Sequence, residues 1–302
     1  MPRLSLLLIL ALSLLLPSSV LAEPATWDKH SKRLELAPHV DYWLENERTS
    51  FSEVTQLPDE SWTAGGDESA NFGYSDDVYW FRFRVTNVTG VEAVNFMEIG
   101  YPVLDHIEVY LPDAQEPLLL GDKRPFYDRP IHHRHFVVPL LLPANETVTV
   151  YLRVDTTSSM QVPLTLWERD AFYAADQGRS MLEGIYYGIV LVMILYNLFV
   201  FMAVGERSFL YYVGYITTMP LFLASLHGVG FQYLWPEGTW WNDQSIIVFL
   251  NLVIVFGGAF SIRFISVTRE NHPLLNRWTM AMIMAAGLMA GAGLIIPYKH
   301  MI

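Results

Sequence analysis

The pattern of apolar and polar positions changes character near residue 180. Before it, the chain alternates over short distances. The clearest segment is Val78-Tyr79-Trp80-Phe81-Arg82-Phe83-Arg84-Val85, in which Phe81, Phe83 and Val85 share one face and Arg82 and Arg84 the other. A period of two with one apolar face predicts a half-buried strand of an antiparallel sheet. Further strands are predicted over 95–99, 106–111, 135–141 and 147–154, divided by Gly100-Tyr101-Pro102, Pro112-Asp113, Gly121-Asp122 and Pro143-Ala144-Asn145. No long helical period appears before residue 168. Short strands at this spacing predict an all-β sandwich or jelly roll rather than an α/β fold.

After Arg179 the alternation gives way to apolar runs over about 182–204, 209–231, 244–266 and 278–297. Each approaches the roughly 20 residues that a helix needs to cross the hydrocarbon core, which predicts an α-helical transmembrane bundle of four spans. Only Gly205-Glu206-Arg207-Ser208 joins the first two, so they form a tight antiparallel hairpin. The chain opens with Arg3, an apolar run from Leu4 to Leu16, and the small-residue ending Val20-Leu21-Ala22. This is the pattern of a secretory signal peptide over 1–22, cleaved before Glu23. The predicted organisation is therefore a signal peptide (1–22), an exported sandwich (23–166), a linker (167–181) and a membrane region (182–302).

Export of the sandwich makes the first span run from outside to inside, which puts Arg207 and the connection carrying Arg263, Arg269 and Arg277 in the cytoplasm. The positive-inside rule gives the same orientation independently, because the connection over 232–243 has no Lys or Arg. Tyr186, Tyr187, Tyr233, Trp235, Trp240, Trp241 and Trp278 cluster near span ends, as an interfacial belt does. Asn197 and Asn251 lie at membrane depth and read as helix–helix hydrogen bonds rather than a relay. Gly287 and Gly291, spaced as small-x-x-x-small, predict close approach of a partner helix or a second copy of the chain.

Charge sharpens this division. The chain of 302 residues has a net charge of −12, with 19 Lys and Arg against 31 Asp and Glu. Residues 23–180 hold 13 basic and 26 acidic residues, and residues 181–302 hold five of each. An acidic domain joined to a nearly uncharged one does not fit a nucleic-acid binder. The absence of cysteine excludes disulfides, thiolate metal sites and cysteine nucleophiles.

Candidate chemistry lies in the exported part. Trp62, Tyr74, Tyr79 and Trp80 offer plates for a sugar ring, with Arg82 and Arg84 for hydroxyl or acidic groups, although alternating aromatics are also ordinary sheet core. Asp76 and Asp77 offer hard oxygen ligands for calcium, without the spacing of an EF-hand. His132-His133-Arg134-His135 invites a transition metal. With no carboxylate partner identifiable in the sequence, it reads better as the polar edge of a strand. No Gly-x-Ser-x-Gly, phosphate-binding loop or His-Glu-x-x-His occurs, so nothing points to catalysis.

Several stretches resemble bacterial seven-transmembrane receptors with diverse intracellular signalling modules (7TMR-DISM). They are Tyr79-Trp80-Phe81-Arg82-Phe83, Glu98-Ile99-Gly100-Tyr101-Pro102 with Asp105-His106-Ile107-Glu108-Val109-Tyr110, Tyr151-Leu152-Arg153-Val154 with Pro163-Leu164-Thr165-Leu166, and Tyr186-Tyr187-Gly188 with Leu195-Tyr196-Asn197-Leu198-Phe199. The resemblance implies a periplasmic jelly roll similar to carbohydrate-binding modules, seven spans in the bacterial inner membrane, and a cytoplasmic kinase or cyclase output. Four spans without an output domain read as the sensory portion of a longer protein or a truncated product. The implied function is a receptor for a small periplasmic ligand, glycan-like or calcium. The alternative is a membrane-anchored carbohydrate-binding or scaffold protein without signalling.

Overall fold

The computed structural model describes residues 21–301 except 67–69, 113 and 115. The predicted signal peptide therefore lies almost entirely outside the described residues. In chain order the strands are β1 (Ala25–Trp27), β2 (Arg33–Glu35), β3 (Val40–Glu45), β4 (Thr63–Ala64), β5 (Ala70–Tyr74), β6 (Val78–Asn87) and β7 (Ala93–Ile99). They continue with β8 (His106–Tyr110), β9 (Leu118–Leu120), β10 (Phe136–Leu142), β11 (Thr147–Asp155), β12 (Ser159–Val162) and β13 (Leu164–Trp167). One sheet runs β4-β3-β6-β11-β8-β9 with β1 added in parallel to β6, a second runs β10-β7-β13-β2, and β12-β5 forms a short ribbon. Phe81, Phe83, Val85, Val150 and Leu152 of the first sheet meet Met97, Ile99, Phe136, Val138 and Leu166 of the second in one core. This is the β-sandwich the alternation predicts.

The central strand departs from the half-buried expectation. Trp80 and Arg82 are buried along with Phe81 and Phe83, because the segment between β3 and β4 folds over the outer face of the sheet. Its short helix α1 (Phe51–Val54) is held by a Ser50/Glu53 capping box. Phe51 stacks on Tyr110 at 4.0 Å between centroids and on Trp80 at 6.4 Å, and Val54 and Trp62 complete this second cluster.

The helices are α2 (Arg169–Val204), α3 (Arg207–Leu226), α4 (Val229–Tyr233), α5 (Thr239–Phe264) and α6 (Pro273–Ala292). Residues 167–181, predicted as a linker, are instead the end of β13 and the first turns of α2. Apolar Phe172, packed on the outer face of the second sheet, stabilises helix where the sequence shows no continuous apolar period. At about 1.5 Å per residue, the 36 residues of α2 extend well beyond a membrane thickness. The helix stops at Gly205, whose φ of 73° suits a residue without Cβ.

Among the described residues, α2, α3 and α5 are long and apolar enough to cross a membrane. The fourth predicted span is α6, whose mean hydropathy is lowered by Asn276 and Arg277. The second span ends earlier than predicted, at Leu226, where left-handed Gly228 leads into α4. Contacts order the helices as α2, α3, α5 and α6, with α5 between α3 and α6. Close approach of α3 and α5 depends on Gly214, where a Cβ would lie 2.4 Å from the Phe256 ring. On α6, Ala286 and Ala290 are buried, while a Cβ at Gly291 would meet nothing within 4 Å. Asn197 and Asn251 do not bridge helices: each donates to the carbonyl four residues earlier in its own helix, Met193 and Ile247, which removes the cost of a bare amide without a partner.

Burial of Trp80 on the covered face gives a direct test. Trp80→Ala should cost about 3–5 kcal/mol, read as a lowered unfolding temperature of the purified protein. Tyr74→Ala, at a side chain 67% exposed, should change it little.

Candidate functional site

The six aromatic and arginine residues of the candidate sugar site do not form one surface. Trp62 and Trp80 are interior, and the Trp80 Nε1–H donates to Glu45 Oε2 at 3.0 Å. Arg82 lies over the Trp62 ring, 4.4 Å from its centroid, and donates to Asp41 and Asp59, each at 3.1 Å. Arg84 donates to the Ala22 carbonyl. Tyr79 stacks on Phe72 at 4.4 Å. Tyr74 alone of the six is largely exposed. It borders a cleft of 190 Å³ with Ser75, Asp76, Thr157 and Lys299, where the Lys299 ammonium is 3.8 Å from Asp76. Asp77 accepts from the Ser75 hydroxyl at 2.9 Å. Among the described residues, neither Asp76 nor Asp77 belongs to a converging group of three potential metal ligands.

Two polar clusters instead join the sandwich to the helices. The first gathers Glu98 of β7, His133 and His135 ahead of β10, and Asp176 and Arg179 of α2. The two histidines lie in the bend before β10 rather than on a strand. Glu98 pairs with Val137 in the β7–β10 ladder, which brings its carboxylate beside His135: the Nδ1 to Oε1 distance is 2.6 Å. The Trp167 indole donates to Glu98 Oε2 at 2.7 Å, and Arg179 is 3.7 Å from Oε1. His133 accepts the His135 backbone N–H at its Nδ1. Its Nε2 therefore carries the proton and donates to Asp176 at 3.0 Å. Phe172 lies edge-on against Phe96 and His133, and Arg134 is paired with Glu183 one helical stretch further on. The sequence hides this cluster because Glu98 and Asp176 lie 35 or more residues from the histidines; a charged residue inside Phe96-Met97-Glu98-Ile99 is its one local sign.

The second cluster holds Asp105, Asp122 and Lys123 of the sandwich against Asn242 and Asp243 at the start of α5. Lys123 is bonded to Asp243 and is 3.4 Å from Asp105. Asn242 donates to Asp122 at 3.2 Å and accepts from the Trp235 indole at 3.2 Å. Asp122 Oδ1 is buried without a partner. Gly121, with φ 134°, allows this turn: a Cβ there would lie 1.9 Å from the Asp105 carbonyl oxygen. Nearby, the Phe126 N–H donates to the Pro236 carbonyl at 2.9 Å, and the Arg129 guanidinium lies between Phe126, Phe136 and Phe231.

These contacts place the 227–243 connection beside the sandwich. The Glu206–Arg263 pair, at 3.2 Å, joins the α2–α3 connection to the end of α5, with the arginines of the connection that follows. The acidic domain and the arginine-rich connections thus occupy opposite ends of the helices, in agreement with the orientation from charge.

Burial raises the cost of charge in both clusters, with different outcomes. Burial pushes the Glu98 carboxyl up, but the hydrogen bond and charge of His135, with Trp167 and Arg179, bring it down to about 2. Burial holds His133 below its ordinary range despite Asp176. Asp122 is raised well above the carboxylate range by burial and then by Asp243, while its neighbour Lys123 is held high by Asp122 and Asp105 against the effect of burial.

These shifts give opposite pH dependences. A depressed Glu98 contributes stability that is present above the unfolded value near 4.5 and lost as pH falls through about 2. Glu98→Gln should therefore lower stability at pH 7 by on the order of 2–3 kcal/mol, with the deficit shrinking toward pH 2. A raised Asp122 is most favourable below its unfolded value of 3.8 and loses that contribution as pH rises through its folded value. Asp122→Asn should therefore raise the unfolding temperature at pH 7, with the gain vanishing in acid. Thermal unfolding of both variants across pH checks the pair of signs.

Residues 37–168 match the family model described as 7TMR-DISM extracellular 2, and residues 179–302 match 7TM diverse intracellular signalling. No curated protein is similar enough to match. The first match ends as β13 gives way to α2, and the second begins at Arg179, within the turns that dock on Glu98. With a β-sandwich under the first match, apolar helices under the second and buried ion pairs between them, the chain belongs to the 7TMR-DISM family of membrane receptors, with an extracellular sensory domain joined to a transmembrane block.

Proposed function

We propose that this chain is the sensory and transmembrane portion of a bacterial inner-membrane signalling receptor. Its sandwich stands in the periplasm, binds a small ligand and biases the arrangement of the helices, which act on a cytoplasmic output module. The observation that carries this reading is the continuity of α2. Its first turns pack on the outer face of the second sheet through Phe172, Asp176 and Arg179, and the same unbroken helix enters the apolar region. The outer connection and the start of α5 are tied to the sandwich as well, so a change in the sandwich reaches more than one helix.

A glycan-like ligand or calcium is the proposed stimulus. The cleft bordered by Tyr74, Asp76 and Lys299 favours a small polar molecule, since it combines an exposed aromatic plate with both signs of charge at the junction. Exposure of Gly291 supports a partner helix or a second copy packing on α6. The second reading, a membrane-anchored binding protein without signalling, shares the sandwich but needs no helix movement.

The absence of cysteine makes paired spin labelling straightforward. With Val91→Cys on the sandwich and Ser208→Cys beyond the far end of α2, the full chain in lipid nanodiscs is titrated with calcium and a panel of glycans. The receptor reading expects one ligand to shift the distance distribution, with the shift lost in Tyr74→Ala or Asp76→Ala. Saturable binding with an unchanged distribution would overturn it in favour of the static anchor.

A further inference from the structure

We infer that Glu98, His133 and His135 form a site for a divalent transition-metal ion of the zinc class, built into the joint between the sandwich and α2. One donor atom from each residue lies within 4.8 Å of the others. Tetrahedral bonds of about 2.0–2.1 Å need donors roughly 3.3 Å apart, so small side-chain rotations close the set. His135 Nδ1 and Glu98 Oε1 are already in contact at 2.6 Å, sharing a proton that a cation displaces. Two imidazoles and one carboxylate match zinc and its neighbours; calcium prefers an all-oxygen shell.

The surroundings have the form that metal ligands require. The His133 Nε2–H donates to Asp176, which fixes the tautomer, so that Nδ1 can ligate the ion once it gives up the His135 backbone N–H it now accepts. The Trp167 indole holds the other Glu98 oxygen. Such carboxylate–histidine and outer hydrogen bonds orient the ligands of known metal sites. A cavity of 530 Å³, lined by Glu98, His135, Trp167 and Arg179 among others, opens onto the cluster. It provides an entry path and room for water in a fourth position.

The cationic neighbour is Arg179, 3.7 Å from Glu98 with its side chain 36% exposed. A bound ion takes over its electrostatic role and frees it toward solvent. Arg179 and Asp176 are both on α2, so metal binding replaces one hold on that helix and tightens another. This inference is independent of the ligand reading above: it is tested by metal binding itself rather than by helix movement.

The test uses the full chain in detergent, stripped with a chelator and titrated with zinc chloride by calorimetry, with cobalt substituted for visible absorption spectroscopy. One equivalent should bind, with cobalt bands of nitrogen-containing tetrahedral or five-coordinate geometry. His133→Ala and His135→Ala should weaken binding by at least 10-fold, and Asp176→Asn by about 10–100-fold. His132→Ala, exposed and beside the site, should leave it unchanged. Should an alanine variant fail to fold, His135→Gln keeps a hydrogen-bonding group next to Glu98 but ligates zinc poorly. Absence of saturable zinc binding, or affinity unaltered by both His135→Gln and Asp176→Asn, would overturn the assignment, as would an equal response to calcium.

Discussion

The strongest constraint on the joint between the two halves of this receptor is that charge held away from water must be neutralised. An isolated ion in the interior costs several kcal/mol even after relaxation, and the junction buries carboxylates, guanidiniums and imidazoles together. Glu98 is tolerated because His135, Trp167 and Arg179 surround it; Arg134 is tolerated because Glu183 of α2 reaches it. Arg179 and Glu183 come from α2, whereas His135 and Trp167 belong to the sandwich with Glu98. Separating the sandwich from the helices would leave Arg134 without Glu183 and Lys123 without Asp243, which adds to the apolar hold of Phe172 on the sheet.

The two polar clusters solve the same problem differently. Around Glu98, donors outnumber charges and the carboxylate is strongly acidic. Around Asp122, three carboxylates face a single lysine, and Asp122 itself holds a proton more readily than an ordinary aspartate. One joint is stiffened by complementary partners and the other retains an unmet demand for positive charge. The second sits against α5, which packs between α3 and α6, so the least satisfied contact lies on an interior helix of the row.

Much of this was legible in the chain. The alternation around Phe81 identified the central strand, turn residues divided the sheet, and arginines in two connections oriented the helices. What escaped was what depends on layers and register. The burial of Trp80 and Arg82 has no local sign, because no pattern in the chain shows that the segment around Phe51 folds back over them. The His133–His135 pair looked partnerless because Glu98 arrives through the β7–β10 register and Asp176 through docking of α2. Nothing local shows that the linker over 167–181 is helical, because Phe172 packs on Phe96 and Val137, remote in sequence, as well as on Trp167. Trp62, Trp80 and Arg82, chosen for their chemistry, are used by the fold as core, whereas the joint pairs the conspicuous histidines with carboxylates remote from them in the chain.

The uninterrupted length of α2 also has a mechanical meaning. From Asp176 to Val204 the helix runs for about 42 Å at the usual rise per residue. Pivoting about the docked turn by about 5° would carry its inner end sideways by roughly 4 Å, enough to exchange one set of interdigitated side chains for the next. A helix without a break between pivot and tip works as a rigid lever arm, and a change of a fraction of an ångström where it is anchored is magnified before it reaches the far side of the membrane.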